Sequence, residues 1–201
     1  MKPRQIPSKR VVAALIGMIM LLPLAACTGG KNAVDQSAGG QFRYVQANKK
    51  GSLIAAGKRK PAGPVAGALV NGGSYQLSAD RGKVVILNFL ASWCSPCQTE
   101  TPQYDTIYQQ RKASGVNVVG LDIKDPNRSG VQAWLKEKVQ VTFPVVFDPT
   151  AKTALQLGDV PVVALPGTVL IDKQGRVAAV YTGAQLPADL DPVLDTLSKE
   201  A

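Results

Sequence analysis

The apolar residues of this chain fall into runs of two kinds. "KVVILNFLA" (83–91) and "VNVVGLDI" (116–123) are near-continuous and rich in β-branched residues, as expected of strands buried on both faces. "TFPVVFD" (142–148) predicts a third strand. Between the first two, residues 95–113 favour helix, with a kink expected at Pro102. Residues 128–139 place Val131, Trp134, Leu135 and Val139 at helical spacing. A short helix is predicted over 149–158, ended by Gly158. "GTVLID" (167–172) and "RVAAVYTG" (176–183), joined by "KQG", predict an antiparallel hairpin, and 187–200 a closing amphipathic helix. Upstream, 65–78 reads as another hairpin around Asn71 and Gly72.

Strands that alternate with helices imply a largely parallel sheet covered by helices on both faces. The compact domain is expected to span 64–201. In such sheets ligands sit at the carboxyl ends of the strands. Cys94 falls there, after strand 83–91 and at the start of the next helix.

The N-terminal part has a different pattern. Residues 1–10, "MKPRQIPSKR", are basic, and 11–26 are apolar and end in small residues. This is the layout of an export signal over 1–26. The run is short for a membrane-spanning helix, which needs about 20 apolar residues. "LAAC" (24–27) resembles a bacterial lipobox. That resemblance implies lipidation of Cys27, cleavage before it and a lipid-anchored mature protein. The alternative is an uncleaved signal-anchor in which Cys27 is incidental. Either way the folded part is expected outside the cytoplasm. Residues 27–63 then read as a tether. Its glycine-rich 28–40 is a flexible linker, and 41–46 alternates like a short strand. The basic stretch 49–64, broken by Gly and Pro, has no assignable fold and is expected to pack only partly.

Charge and composition narrow the chemistry. The formal net charge is +9, but residues 71–201 hold twelve basic and thirteen acidic residues. The excess is therefore N-terminal, which suits a membrane surface and argues against a nucleic-acid groove. The chain has no histidine, which excludes Ser-His and Cys-His hydrolase mechanisms and zinc sites that need His. Only Cys27, Cys94 and Cys97 are present, too few for a four-ligand zinc site. A disulfide closing so short a loop as "CSPC" is a poor staple. Redox chemistry is the favoured use of the pair, with a purely structural disulfide and a carboxylate-assisted or intermolecular metal site as the alternatives. A helix N-terminus favours thiolate over thiol, so Cys94 is the expected nucleophile. Cys97, one turn further in and more buried, is the expected resolving thiol. Pro96 fits the first turn, where its missing N–H costs little.

"NFLASWCSPCQTETP" (88–102) looks like the active-site segment of thioredoxin-fold proteins of the TlpA/ResA type, through Trp93, Cys94, Pro96, Cys97, Glu100 and Pro102. "VVALPGTVLIDKQG" (162–175) is similar to that family's segment around its cis-proline, with Pro166 in that place. The resemblance implies an α/β, thioredoxin-like fold: a central mixed sheet, helices on both faces and an N-terminal hairpin extension. It also implies that Cys94 attacks and Cys97 resolves, and that Pro166 is cis beside them. Leu165 would offer backbone hydrogen bonds to a bound thiol-bearing peptide, with Trp93 and Pro96 lining the same site. Residue physics alone reads Pro166 as a trans turn residue.

Two positions depart from the pattern. Asn88 stands where thioredoxin has a buried aspartate, so Glu100 becomes the candidate acid beside the thiols; the alternative is an exposed helix glutamate. Leu90 stands where many relatives carry Trp, a difference of packing. The implied function is a lipid-anchored thiol-disulfide oxidoreductase on the outer face of the cell membrane. It would take electrons from a membrane thiol carrier and reduce a disulfide-bearing protein such as apocytochrome c during cytochrome c maturation. No metal or other cofactor is implied. General disulfide reduction or oxidation of secreted proteins, and a binding module whose pair stays oxidised, are the alternatives.

Overall fold

A computed structural model describes residues 53–158, 160 and 164–200. The export signal, Cys27 and the strand expected over 41–46 lie outside the described residues. Strands β1 (Ala66–Ala68) and β2 (Ser74–Gln76) form the expected antiparallel hairpin. Gly72 and Gly73 turn it with φ of 97° and 81°, a region that glycine enters without steric cost. The main sheet contains β3 (Val84–Leu90), β4 (Val116–Ile123), β5 (Val145–Asp148), β6 (Gly167–Ile171) and β7 (Val177–Thr182), in the order β5-β4-β3-β6-β7. β3 is parallel to β4 and antiparallel to β6, so the sheet is mixed. All seven residues of β3 are buried, as its near-continuous apolar run requires.

Helix α1 (Ser95–Arg111) follows β3, and α2 (Arg128–Ala133) follows β4. α3 (Lys152–Gln156) precedes β6, and α4 (Pro187–Lys199) closes the domain. Residues from α1, α2 and α4 share one core cluster with Val84, Ile86 and Leu90. The other face carries Val85, Leu87 and Phe89, covered by the β1–β2 hairpin and the end of α3. Helices thus lie on both faces of the sheet, as expected.

Three expectations are corrected. The helix expected over 128–139 is α-helical only to Ala133; Trp134–Val139 continue as a π-helix, closed by Gln140 at φ 52°. The wider π turn suits Trp134 and Val139, five apart and both buried. The strand expected from 142 starts at Val145, because Thr142 turns aside to hydrogen-bond Asp105 through its N–H (2.7 Å) and hydroxyl (2.8 Å).

The third correction concerns 53–63, read as tether. This stretch is a strap docked on the domain. The Ile54 N–H donates to the Ala178 carbonyl (2.8 Å), and the Val177 N–H donates to the Lys60 carbonyl (2.8 Å). Arg59 is buried; its guanidinium pairs with Asp172 at 3.2 Å and with Glu200. Gly63 lies so close to α3 that a Cβ there would land on the Gln156 carbonyl. The glycine that reads as a chain breaker is a close-packing residue.

Candidate active site

The carboxyl end of β3 leads through Ala91, Ser92 and Trp93 to Cys94, the N-cap of α1. Its sulfur accepts the Cys97 N–H at 3.3 Å. Cys94 and Cys97 form a disulfide. Cys94 is 5% exposed and Cys97 fully buried, so an incoming thiol meets Cys94 first. Trp93 beside it is 59% exposed, and Pro96 is exposed in the first turn of α1.

Sheet register brings the second motif to the same place. Gly167, which opens β6, is paired with Phe89 of β3. Pro166 therefore lies level with the end of β3. The Leu165–Pro166 bond is cis, as the resemblance implied and residue physics alone did not. Leu165 is half-buried between the two core clusters, and the Pro166 carbonyl accepts the Gly183 N–H at 2.9 Å.

Glu100 is buried, 1% exposed, which sets aside the exposed-glutamate alternative. Its Oε1 accepts the Gln185 N–H (2.7 Å) and the Tyr104 hydroxyl (3.0 Å); its Oε2 accepts from Asn88 Nδ2 (3.0 Å). The Tyr104 and Thr168 hydroxyls are 2.6 Å apart. Burial raises the Glu100 pKa, against the lowering effect of the bonds from Gln185, Asn88 and Tyr104. Asn88 is thus not an acid but the donor to one. The structure brings Cys94, Cys97, Trp93, Pro96, Leu165 and Pro166 to one end of the sheet. It places Glu100 inside α1, one helical turn beyond Cys97.

Sequence reasoning missed Asp125. Its carboxylate accepts the Ser92 N–H (2.7 Å) and the Ser92 hydroxyl (2.8 Å), and so fixes the turn two residues before Cys94. Its only signal in the sequence is its position just after a strand end, where active-site loops gather.

A mixed sheet with a Cys-Ser-Pro-Cys disulfide at a helix N-cap and a facing cis-proline defines a thioredoxin-fold redox protein. A Redoxin family profile matches residues 55–196. Thiol-disulfide oxidoreductase ResA of Geobacillus kaustophilus is 34% identical over 128 residues, 64% of this chain and 71% of that protein. A DsbF homologue from Corynebacterium diphtheriae superposes with TM-score 0.69 at 32% identity, over 74% of this chain and 94% of its own. A secreted thiol-disulfide isomerase from Corynebacterium glutamicum gives 0.70 at 29%, over 76% and 93%. The chain belongs to the Redoxin family, among its TlpA/ResA-like thioredoxin-fold thiol-disulfide oxidoreductases. No helix among the described residues is long and apolar enough to cross a membrane.

Proposed function

We propose that this protein is an extracytoplasmic disulfide reductase, held at the membrane by lipid on Cys27. Its substrates are exported proteins, with the cysteine pair of apocytochrome c as the specific target during cytochrome c maturation. The Cys94 thiolate attacks one sulfur of the substrate disulfide and forms a mixed disulfide, expelling the other sulfur as a thiolate. Cys97, deprotonated in turn, attacks the Cys94 sulfur. The substrate leaves as a dithiol, and the enzyme keeps the Cys94–Cys97 disulfide. A membrane thiol carrier restores the dithiol. Glu100 is the group assigned to take the Cys97 proton, while Trp93, Pro96, Leu165 and Pro166 form the surface that receives the substrate segment.

The observation that carries this reading is the asymmetry of the pair: Cys94 caps the helix beside exposed Trp93, and Cys97 is fully buried behind it. The helix N-terminus favours the Cys94 thiolate, and only the accessible sulfur can be attacked from outside. Cys97→Ser should therefore trap mixed disulfides on non-reducing gels, and Cys94→Ser should trap few. Equal trapping would overturn the assignment. The likeness to a secreted thiol-disulfide isomerase supports a second reading, in which the protein oxidises or reshuffles disulfides. The reduction potential of the pair decides the direction. A value near about −270 mV, as in thioredoxin, fits the reductase, and one near about −120 mV, as in strong oxidants, reverses it.

A further inference from the structure

Asp122 is a buried acid inside this core that the redox scheme leaves without a task. It lies on β4, fully buried, and pairs in register with Leu90, the last residue of β3 before the Cys94 turn, and with Phe147 of β5. Paired residues face the same side of a sheet, so Asp122 points with Leu90 toward the cluster that contains Cys94 and Cys97. No N–H or O–H among the described residues reaches either of its carboxyl oxygens. Its neighbours are acids. Asp125 acts on it most strongly after burial itself, and Asp148 acts more weakly.

No basic side chain offsets these acids in any ion pair found among the described residues. Glu100 and Tyr104, the ionisable groups that α1 turns to the sheet, hydrogen-bond toward Asn88 and Thr168 on the β3–β6 side. Asp148 is held by four hydrogen bonds from Thr150, Lys152 and Thr153. On the π-helix behind, Lys136, Glu137 and Lys138 are exposed. A shared cation would reconcile the acids, but no three metal-ligand residues converge among the described residues.

A carboxyl that faces only another carboxyl closes a hydrogen bond when one of the two carries a proton. We propose that Asp122 is a neutral, proton-bearing acid that donates to Asp125, and that it is a positioning residue for the redox centre through the Asp125–Ser92 contacts. The pair forms a proton-dependent latch at the root of the Cys94 turn. While Asp122 holds its proton, Asp125 is fixed from below and fixes Ser92 from its other side. Once Asp122 loses that proton, two charges face each other with no ion-pair partner for either among the described residues, Arg128 of α2 lying instead over Phe147, and the Ser92 turn loosens. Burial, with Asp125 and Asp148, pushes the Asp122 pKa up to about 9, so the latch is closed at neutral pH and opens in alkali.

The inference rests on Cys94–Cys97 being the redox pair, but its main test does not use activity. Infrared spectra of the oxidised protein, whose disulfide-bonded cysteines do not titrate, should contain the carbonyl stretch of a protonated carboxylic acid at pH 7. Part of that band should be lost by pH 10 and be absent from Asp122→Asn, whose amide can donate to Asp125 without titrating. Glu100→Gln, measured beside it, separates any contribution from Glu100. Asp125→Asn keeps an acceptor for Ser92 but removes the charge beside Asp122, and should shift the loss of the band to lower pH. In the reduced protein, Cys94 alkylation should show an alkaline inflection that Asp122→Asn lacks. A wild-type spectrum identical to that of Asp122→Asn at pH 7 would overturn the proposal, and so would superimposable alkylation profiles from a Cys94 that reacts. If instead the band behaves as stated but Cys94 proves unreactive, the latch stands and the redox reading fails.

Discussion

Glu100 is the residue on which the buried polar chemistry turns. Three donors converge on its two oxygens, yet Asn88 Oδ1 has no partner among the described residues. Glu100→Gln introduces one amide N–H group where the Asn88 amide now donates. A flip of Asn88 would present its free oxygen to that group, so the variant should fold. Because burial raises the Glu100 pKa, the folded state binds the proton more tightly than the unfolded chain does. Stability from this site is full below the unfolded value and falls as pH rises through the folded one. Glu100→Gln should flatten that decline in urea titrations run at several pH values. It should also slow resolution of mixed disulfides, measured by stopped flow with a model disulfide, and change the pH profile of thiol alkylation. Unchanged rates and profiles would leave Glu100 a purely structural residue. The same sign holds for Asp122: with its pKa at about 9, Asp122→Asn should gain thermal stability over wild type as pH rises from 5 to 8. A constant difference would mean that folding does not raise the Asp122 pKa.

At the scale of elements, the strands and the main helix were legible because their patterns are long and single-valued. Residues 84–90 are apolar except for Asn88, and a doubly covered strand satisfies that run. α1 was legible from its capping chemistry, with Pro96 in the first turn and Cys94 before it. The strap was not legible. Its docking depends on Arg59 meeting Asp172 and Glu200, residues more than a hundred positions away, and no local period encodes such a contact. Asp125 and Asp122 escaped for the same reason: an acid at a strand end reads as surface until the register is known. Arg59→Ala tests the strap. Asp172 would keep Arg176 (2.8 Å) and the Gln174 and Arg176 N–H groups but lose its buried partner. The cost should be about 3 kcal/mol, at the lower end for breaking a buried pair, read from urea unfolding. Cleavage within 53–63 under limited proteolysis should accelerate. A loss below about 1 kcal/mol, the scale of a surface pair, would show that the clasp is ornamental.

For the whole molecule, the lipidation proposed at Cys27 is what would place the chemistry at the membrane. Cys27→Ala should leave the domain folded but change its processing and release it from the membrane fraction, or leave uncleaved precursor. A variant that fractionates and migrates like wild type would remove lipidation from the scheme.

The strap also gives the domain a polarity. Its bonds to Val177 and Ala178, and the Arg59 clasp on Asp172, lie where β7 begins and β6 ends. Register puts that end opposite Leu90, Pro166 and the disulfide. The two ends are separated by the length of β3, on the order of 20 Å for seven residues. Glu200, the residue that caps α4, reaches the strap as well, through Arg59. Both ends of the folded unit are thus handles on the pole away from the sulfurs. A bead, a biosensor chip or a fusion partner joined before residue 53 or after α4 should leave turnover of a protein disulfide unchanged. The same load attached through a cysteine introduced at Ala184, just beyond Gly183 and its contact with Pro166, should lower it. Immobilised through the strap, the domain presents its sulfurs outward, like a brush head on its stem.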